Sequence, residues 1–381
     1  MKIVLAFDSF KNCLSSPEIC RIVAGNMLKT APELEILALP LGDGGEGTAR
    51  AVTEACSGVM QQLEVHDPLF RKVTAEYGLL PDGSAVLEMA SASGIELIKP
   101  GERNPMLTTT YGTGELLAYL AGEKNIRNFT VAIGGSATVD GGAGMLQALG
   151  VKFYDKNDQL LPCPATGKDI ARISRIDNSG LLPEIRECRI KIASDVTNEL
   201  CGPNGAARVF GPQKGADDNM VYFLENNLQN FGMLAVASKL ADNITTPGDG
   251  AAGGLGFALR NFLHAESTSG AELVLQLLDF DRAIRDADWV ITGEGCSDYQ
   301  TCHGKLCSIV AAHAHKAKVP VMLLSGALGE RAGELSETFE AVFALSAKPC
   351  SLDEALQSTP ANLQRMGRSI GNILQLTRRS L

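Results

Sequence analysis

The chain has 381 residues, enough for about two domains that each bury a core, and its 45% hydrophobic and 20% charged content is that of a globular protein. Its net charge of −10, from 44 acidic against 34 basic side chains, argues against a nucleic-acid partner, which favours a basic face. The apolar run Ile3–Phe7 is too short for a signal-peptide core and no run reaches the length of a membrane span, so the expectation is a cytoplasmic protein without a membrane partner.

A strand is expected at 2–7, followed by a helix with Ser16 as N-cap and Pro17 at its first position. A second strand at 34–39 leads to a helix over 47–56 that Gly58 stops. From 61 to 90 the residues alternate with period two, and the Asp82-Gly83 turn between Val73–Tyr77 and Ala85–Met89 predicts an antiparallel hairpin. Helical patterns follow near 113–121, 141–149, 218–240 and 270–279, with strands at 129–133 and 189–193. The polar, Pro- and Gly-containing stretch 155–185 is expected to loop over the surface. Strands at 288–292, 320–324 and 341–345 alternate with helices at 304–317 and 361–378. In the last of these Leu363, Met366, Ile370, Ile373 and Leu374 recur at helical spacing, and Arg378 and Arg379 suit its C-terminal dipole.

Joined, the two ends of the chain make five strands alternating with helices. The predicted fold class is α/β: a flavodoxin-like, doubly wound parallel sheet formed by 1–60 plus 285–381, with a large inserted α/β domain of mixed sheet over 61–284.

Six strands share one design, an apolar run ending in a turn of Gly, Ser, Thr and an acidic residue. The turns are D8-S-F-K11, G42-D-G-G-E-G-T48, G134-G-S-A-T-V-D-G-G142, S194-D-V-T-N198, G293-E-G-C-S-D298 and S325-G-A327. Ligands of open α/β sheets bind outside the carboxyl ends of the strands. Glycines there admit anions to the backbone, and carboxylates there suit Mg²⁺, so the pattern points to a magnesium–nucleotide enzyme.

Within this set the 134–142 loop, with Gly134, Gly135 and Ser136, is an anion cradle at a helix start, and Asp140 is a candidate helix cap. Asp195, with Asn198, stands just past a strand, where a carboxylate can hold Mg²⁺ or take a proton from an attacking hydroxyl, the alternative being an Asx turn. Lys214, in F210-G-P-Q-K-G-A216, is presented by a rigid Pro/Gly turn that suits a phosphate or carboxylate. G42-D-G-G-E-G47 satisfies the dinucleotide fingerprint, yet Asp43 and Glu46 would face a bare pyrophosphate, a like-charge contact. An NAD(P)-dependent hydroxy-acid dehydrogenase is therefore the weaker alternative. The P-loop and the protein-kinase motifs are absent. Ten scattered cysteines include Cys296, Cys302 and Cys307 near His303, for which tolerated or buried thiols are a better reading than a metal site.

Assembled, these motifs resemble those of the bacterial type 1 glycerate kinases. The matching segments include D8-S-F-K11, G42-D-G-G-E-G-T48, G112-T-G-E115, G134-G-S-A-T138 with D140-G-G-A-G-M145, and S194-D-V-T-N198 with G202-P-N-G-A206. They continue with V209-F-G-P-Q-K-G-A216, G248-D-G-A-A-G-G-L-G256 and T292-G-E-G295 with H303-G-K305, so the likeness covers nearly the whole chain. The resemblance implies ATP- and Mg²⁺-dependent phosphorylation of D-glycerate to 2-phosphoglycerate in a cleft between the two domains; a homodimer is the candidate assembly, which the sequence does not fix. In that setting Asp195 and Lys214 are the candidate catalytic residues. Asp8, Ser9, Lys11, Gly134, Gly135, Ser136, Asn198 and Lys305 are candidates for substrate and phosphates, and Asp43, Glu46, Glu294 and Asp298 for the metal. The chain departs from the family pattern at Val139, Glu199 and Cys296, where Asn, Pro and Arg are expected; a non-catalytic nucleotide or sugar-acid sensor is the reading those departures would support.

Overall fold

A computed structural model describes residues 1–42 and 47–378; Asp43, Glu46 and Arg379 lie outside the described residues. In chain order the strands are β1 (Lys2–Phe7), β2 (Glu35–Ala38), β3 (Val59–His66), β4 (Lys72–Leu79), β5 (Ala85–Glu88), β6 (Asn128–Ala132) and β7 (Lys152–Tyr154). They continue with β8 (Arg175–Asp177), β9 (Arg189–Ala193), β10 (Glu266–Thr268), β11 (Trp289–Ser297), β12 (Val321–Leu328) and β13 (Ala341–Ala344). The fold is α/β with both parallel and mixed sheets, and the described residues divide into two compact units. Among them no helix is long and apolar enough to cross a membrane.

The first unit comprises 1–42, 50–57 and 271–378. Its five strands are all parallel, in the order β13-β12-β11-β1-β2. Numbered along this unit alone, the order is 2-1-3-4-5, and it reverses at β1. Ile3 to Phe7 are completely buried because a central parallel strand is covered on both faces. The helices Ser16–Thr30 and Leu352–Arg378 pack together over it, bringing Ile19, Val23 and Met27 into one cluster with Leu363, Met366, Ile370 and Leu374.

Several local expectations are corrected here. The helix cap is Ser15, not Ser16: Ser15 donates from its amide (2.9 Å) and hydroxyl (2.6 Å) to Glu18. The buried Ser16 hydroxyl instead donates to the Phe7 carbonyl and accepts from the Leu41 amide, tying the helix start to the chain after β1 and β2. The last helix begins at Leu352 rather than 361 and runs through Pro360. Proline cannot donate to the Leu356 carbonyl, and the Cys13 thiol does so at 3.3 Å. Ile373 is 48% exposed, one position off the buried stripe.

The turns expected at 293–297 and 325–327 are strand. β11 continues to Ser297 and β12 to Leu328, with Glu294 opposite Ser325 and Cys296 opposite Ala327. The glycines serve close backbone approach: a Cβ on Gly293 would lie 1.9 Å from the Leu324 carbonyl oxygen, and one on Gly326 2.4 Å from that of Gly295. Residues 271–284 belong with this unit, where His313 meets Glu272 (3.2 Å) and Asp281 (2.6 Å).

The second unit comprises 47–49 and 58–270. Its six-stranded sheet has the order β10-β9-β6-β5-β4-β3; the first four run parallel, and β4 and β3 complete it antiparallel. The hairpin with its Asp82-Gly83 turn is present as β4–β5. Residues 155–185 are not simply a surface loop. β8 pairs with β7, and Leu161, Ala165, Ile170, Ile176, Leu181 and Ile185 enter the core, apolar side chains too widely spaced to show a period.

Candidate functional site

In the second unit the segments that follow parallel strands meet in a pocket of about 320 Å³, at the small end of the roughly 300–1,000 Å³ usual for small-molecule sites. Ile133, Gly134, Gly135 and Ser136 enter it after β6, and Val196 after β9. Phe210, Gln213 and Lys214 come from the Pro/Gly turn, and Ile95, Arg103 and Ala252 complete the wall.

Lys214 is only 2% exposed. Its Nζ donates to Ser136 Oγ and to the Thr138 carbonyl, both at 2.7 Å. The turn Pro212–Lys214 carries it, ended by Gly215 in the left-handed conformation. Burial pushes the Lys214 amine down to about 7, with Asp140 pulling it back up. These two acceptors match the two N–H groups of a neutral amine; the ammonium form has a third to place.

Asp140 is completely buried. One oxygen, Oδ2, accepts from Thr110 N (2.8 Å), Thr110 Oγ1 (2.8 Å) and Gly144 N (3.2 Å); the other accepts from Gly142 N at 3.1 Å. Burial pushes this carboxyl up and the donated hydrogen bonds oppose that push. As expected it caps amides at the start of the helix Ala143–Ala148, although Gly142 occupies the N-cap position itself. Val139, between them, is fully buried in the apolar core. Thr138 Oγ1 is buried without a hydrogen-bond partner among the described residues.

The glycine-rich run at 248–256 contributes Ala252 to the wall. Ala252, Gly253 and Gly254 are successive left-handed residues, with φ of 53°, 68° and 93°. For alanine that conformation is strained, and strain of this kind collects at functional sites. A Cβ on Gly253 would lie 1.9 Å from the Thr138 oxygen that receives Lys214. Gly253→Ala is therefore expected to cost about 3 kcal/mol in urea denaturation, from left-handed strain and overpacking together. A loss below about 1 kcal/mol, within the range of an ordinary surface change, would show that the carbonyl can move aside.

Of the residues singled out from sequence, Gly134, Gly135, Ser136 and Lys214 meet in this pocket. Asp195 and Asn198 follow β9 but do not line it: Asp195 Oδ1 accepts from Gly270 N at 3.0 Å, and Asn198 Nδ2 donates to the Asn204 carbonyl at 2.7 Å. Sequence reading missed Arg103, Val196, Phe210, Gln213 and Ala252. Val196, Phe210, Gln213 and Ala252 lie inside the motifs that carried a signal, S194-D-V-T-N198, V209-F-G-P-Q-K-G-A216 and the glycine cluster 248–256, whereas Arg103 lies in none of them.

In the first unit, β1 and β11 lie side by side where the strand order reverses, and their carboxyl ends adjoin: Asp8 N donates to the Gly293 carbonyl at 3.0 Å. Such reversal points are where open sheets bind ligands. Ser9 N donates to Asp8 Oδ1 at 2.7 Å, and Lys11 is exposed just beyond. Glu294 accepts from Ser297 Oγ (3.0 Å) and Thr301 Oγ1 (2.6 Å). Asp298 accepts from Gln300 N at 2.8 Å and stands 3.7 Å from Lys305 Nζ. Beneath them the Cys307 thiol is pushed well up, first by burial and then by Glu294 and Asp8. Among the described residues no three His, Cys, Asp or Glu side chains are grouped to hold a metal, the cysteines near His303 included.

The family model described as "Glycerate kinase family" matches residues 3–375. The glycerate 2-kinase of Escherichia coli (strain K12) is 41% identical over 382 residues, covering all of both chains. The glycerate kinase of Bacillus subtilis (strain 168) is 38% identical over 380 residues, covering 99% of each. A crystal structure named for glycerate kinase 2 of Salmonella typhimurium LT2 superposes with a TM-score of 0.89 at 39% identity, covering 100% of this chain and 99% of the other.

Proposed function

The chain belongs to the glycerate kinase family, and on that premise we propose that it transfers the γ-phosphoryl group of ATP to the 2-hydroxyl of D-glycerate, forming 2-phosphoglycerate and ADP. The observation that carries this reading is identity of 41% over 382 residues, spanning the full length of both chains. The 2-1-3-4-5 order of the first unit supports calling its sheet flavodoxin-like.

Phosphoryl transfer of this kind requires positioning and charge neutralisation more than covalent chemistry. Lys214 supplies a cation to an anionic ligand in the pocket, and the Gly134–Ser136 segment shapes the wall beside it. Lys11 and Lys305 are cations suited to phosphates. Glu294 and Asp298, with Asp43 and Glu46, are oxygen donors of the kind Mg²⁺ takes, and the ion would neutralise the phosphates when bound with the nucleotide; Asp8 and Ser9 are assigned to substrate and phosphates. Asp195, next in the chain to the pocket-lining Val196, is the proposed acceptor of the hydroxyl proton, and Asn198 is a candidate for the substrate. The net charge of −10 argues against a nucleic-acid partner, and the reading is of a cytoplasmic enzyme acting on small molecules, with a homodimer as its candidate assembly.

The test is a coupled ADP assay with Mg·ATP across D-glycerate, L-glycerate and tartronate, with ³¹P NMR of the product. ADP formed with D-glycerate and a 2-phosphate signal are expected; a 3-phosphate would overturn the regiochemistry, and no ADP the kinase reading itself. Asp195→Asn is expected to reduce kcat by roughly 10²–10⁴-fold. Near-wild-type turnover in that variant would remove Asp195 from the base role.

A further inference from the structure

The pocket of the second unit contains two cations of different kind. Lys214 is buried, with its Nζ committed to Ser136 and Thr138, and near neutral pH only part of the population carries its charge. Arg103 brings a planar guanidinium with a fixed fork of N–H donors and lines the same pocket with 27% of its side chain exposed. Its ion-pair neighbour among the described residues, Glu96, stands 3.9 Å from Nη2 and is itself 77% exposed, a contact of little worth.

The Arg103 Nε–H is shut off from solvent and meets no acceptor among the described residues. A donor in that state is unfavourable and calls for an explanation. Guanidinium presents Nε–H and one Nη–H along a single edge, at the spacing of the two oxygens of a carboxylate. A ligand carboxylate engaging that edge would satisfy the stranded donor once the guanidinium turns toward it. The Arg103 backbone is meanwhile held in place: a Cβ on Gly215 would fall 2.3 Å from the Arg103 carbonyl oxygen, so the turn that carries Lys214 rests directly on it.

We propose that Arg103 is the specificity-determining residue of this pocket, holding the carboxylate of the hydroxy acid through its Nε–Nη edge. This rests on the kinase reading above and adds to it the orientation of the acceptor. Ile95, Ile133, Val196 and Phe210 form the apolar wall that strengthens the ion pair by excluding water. With the carboxylate at Arg103, Lys214 is left to face the hydroxyl end and the incoming phosphoryl group. Neither cation is interchangeable with the other, because only the guanidinium reads two oxygens at once.

The experiment compares wild type, Arg103→Met and Arg103→Lys on D-glycerate and on its neutral amide, glyceramide, by turnover with Mg·ATP and by calorimetric binding. Arg103→Met is expected to lower kcat/KM for D-glycerate on the order of 10²-fold, chiefly through KM, the scale for removing one partner of a desolvated charge pair. The KM for ATP and the handling of the amide should not change, so the preference for acid over amide collapses. Arg103→Lys should restore only part of that preference, and serves as the test should the Met variant melt early. A Met variant that keeps the wild-type preference, or one whose KM for ATP rises as much as that for D-glycerate, would overturn the proposal. If wild type releases no ADP with D-glycerate, the kinase reading fails separately. Calorimetry then still decides: an acid-over-amide preference lost in Arg103→Met upholds the assignment, and its absence in wild type ends it.

Discussion

Lys214→Met is expected to lower kcat/KM for D-glycerate by roughly 10²–10³-fold, the scale for removing one preorganised donor at a site of developing charge. Methionine fills the space but supplies no N–H, so the Thr138 carbonyl loses its donor and the pocket loses a cation. The pH dependence separates this role from that of a base. If the ammonium form meets the phosphoryl group, wild-type kcat/KM falls as pH rises through about 7, the value to which burial brings this amine. A rise through the same range would make Lys214 a base.

Stability responds with the opposite sign. The folded-state pKa lies below the unfolded value of 10.5, so between about 7 and 10.5 the unfolded chain binds the extra proton. Over that window this group makes wild type more stable as pH rises, and below about 7 the slope vanishes with the cost of burying the charge fully present. The Tm difference between wild type and Lys214→Met should therefore shift in favour of wild type from pH 7 to 10. A flat difference would mean that Lys214 titrates as it does in the unfolded chain.

Asp140→Ala should cause the largest loss of stability, about 4 kcal/mol or more in urea denaturation at pH 7.5, because several buried donors lose their acceptor at once. Asp140→Asn is expected to cost about half of that. Three of the four bonds converge on Oδ2, so an amide oxygen placed there keeps them, and only Gly142 N is left facing an NH₂ group. The same variant removes the charge that pulls the Lys214 amine up, so the fall of kcat/KM should begin at lower pH. Equal losses for Ala and Asn would show that the charge, and not the hydrogen-bond geometry, is what the site requires.

Much of this molecule could be read from local pattern. Ile3–Phe7 and Val321–Leu324 are short apolar runs between turn signals, and both are strands. Asp82-Gly83 forms its hairpin. Lys214 between Pro212 and Gly215 invited suspicion of a fixed lysine for a sound reason, since that turn leaves little freedom. Other features misled for equally physical reasons. Glycine in G293-E-G and S325-G-A signals a turn or a close approach of two backbones, and only the pairing of β11 with β12 distinguishes them. Ser15 and Ser16 are both good caps, and the neighbouring strand end claims the second.

What the sequence determined by itself was the alternation of strands and helices and the bends after β1, β6 and β9, because periodicity and turn chemistry act over a few residues. Tertiary structure alone decided that Lys214 is buried, that Arg103 stands in the same pocket, and that Ala252 closes the wall in a left-handed conformation. Those facts depend on segments near 103, 135, 214 and 252 meeting in space. Desolvation and hydrogen bonding between such segments leave no period along the chain.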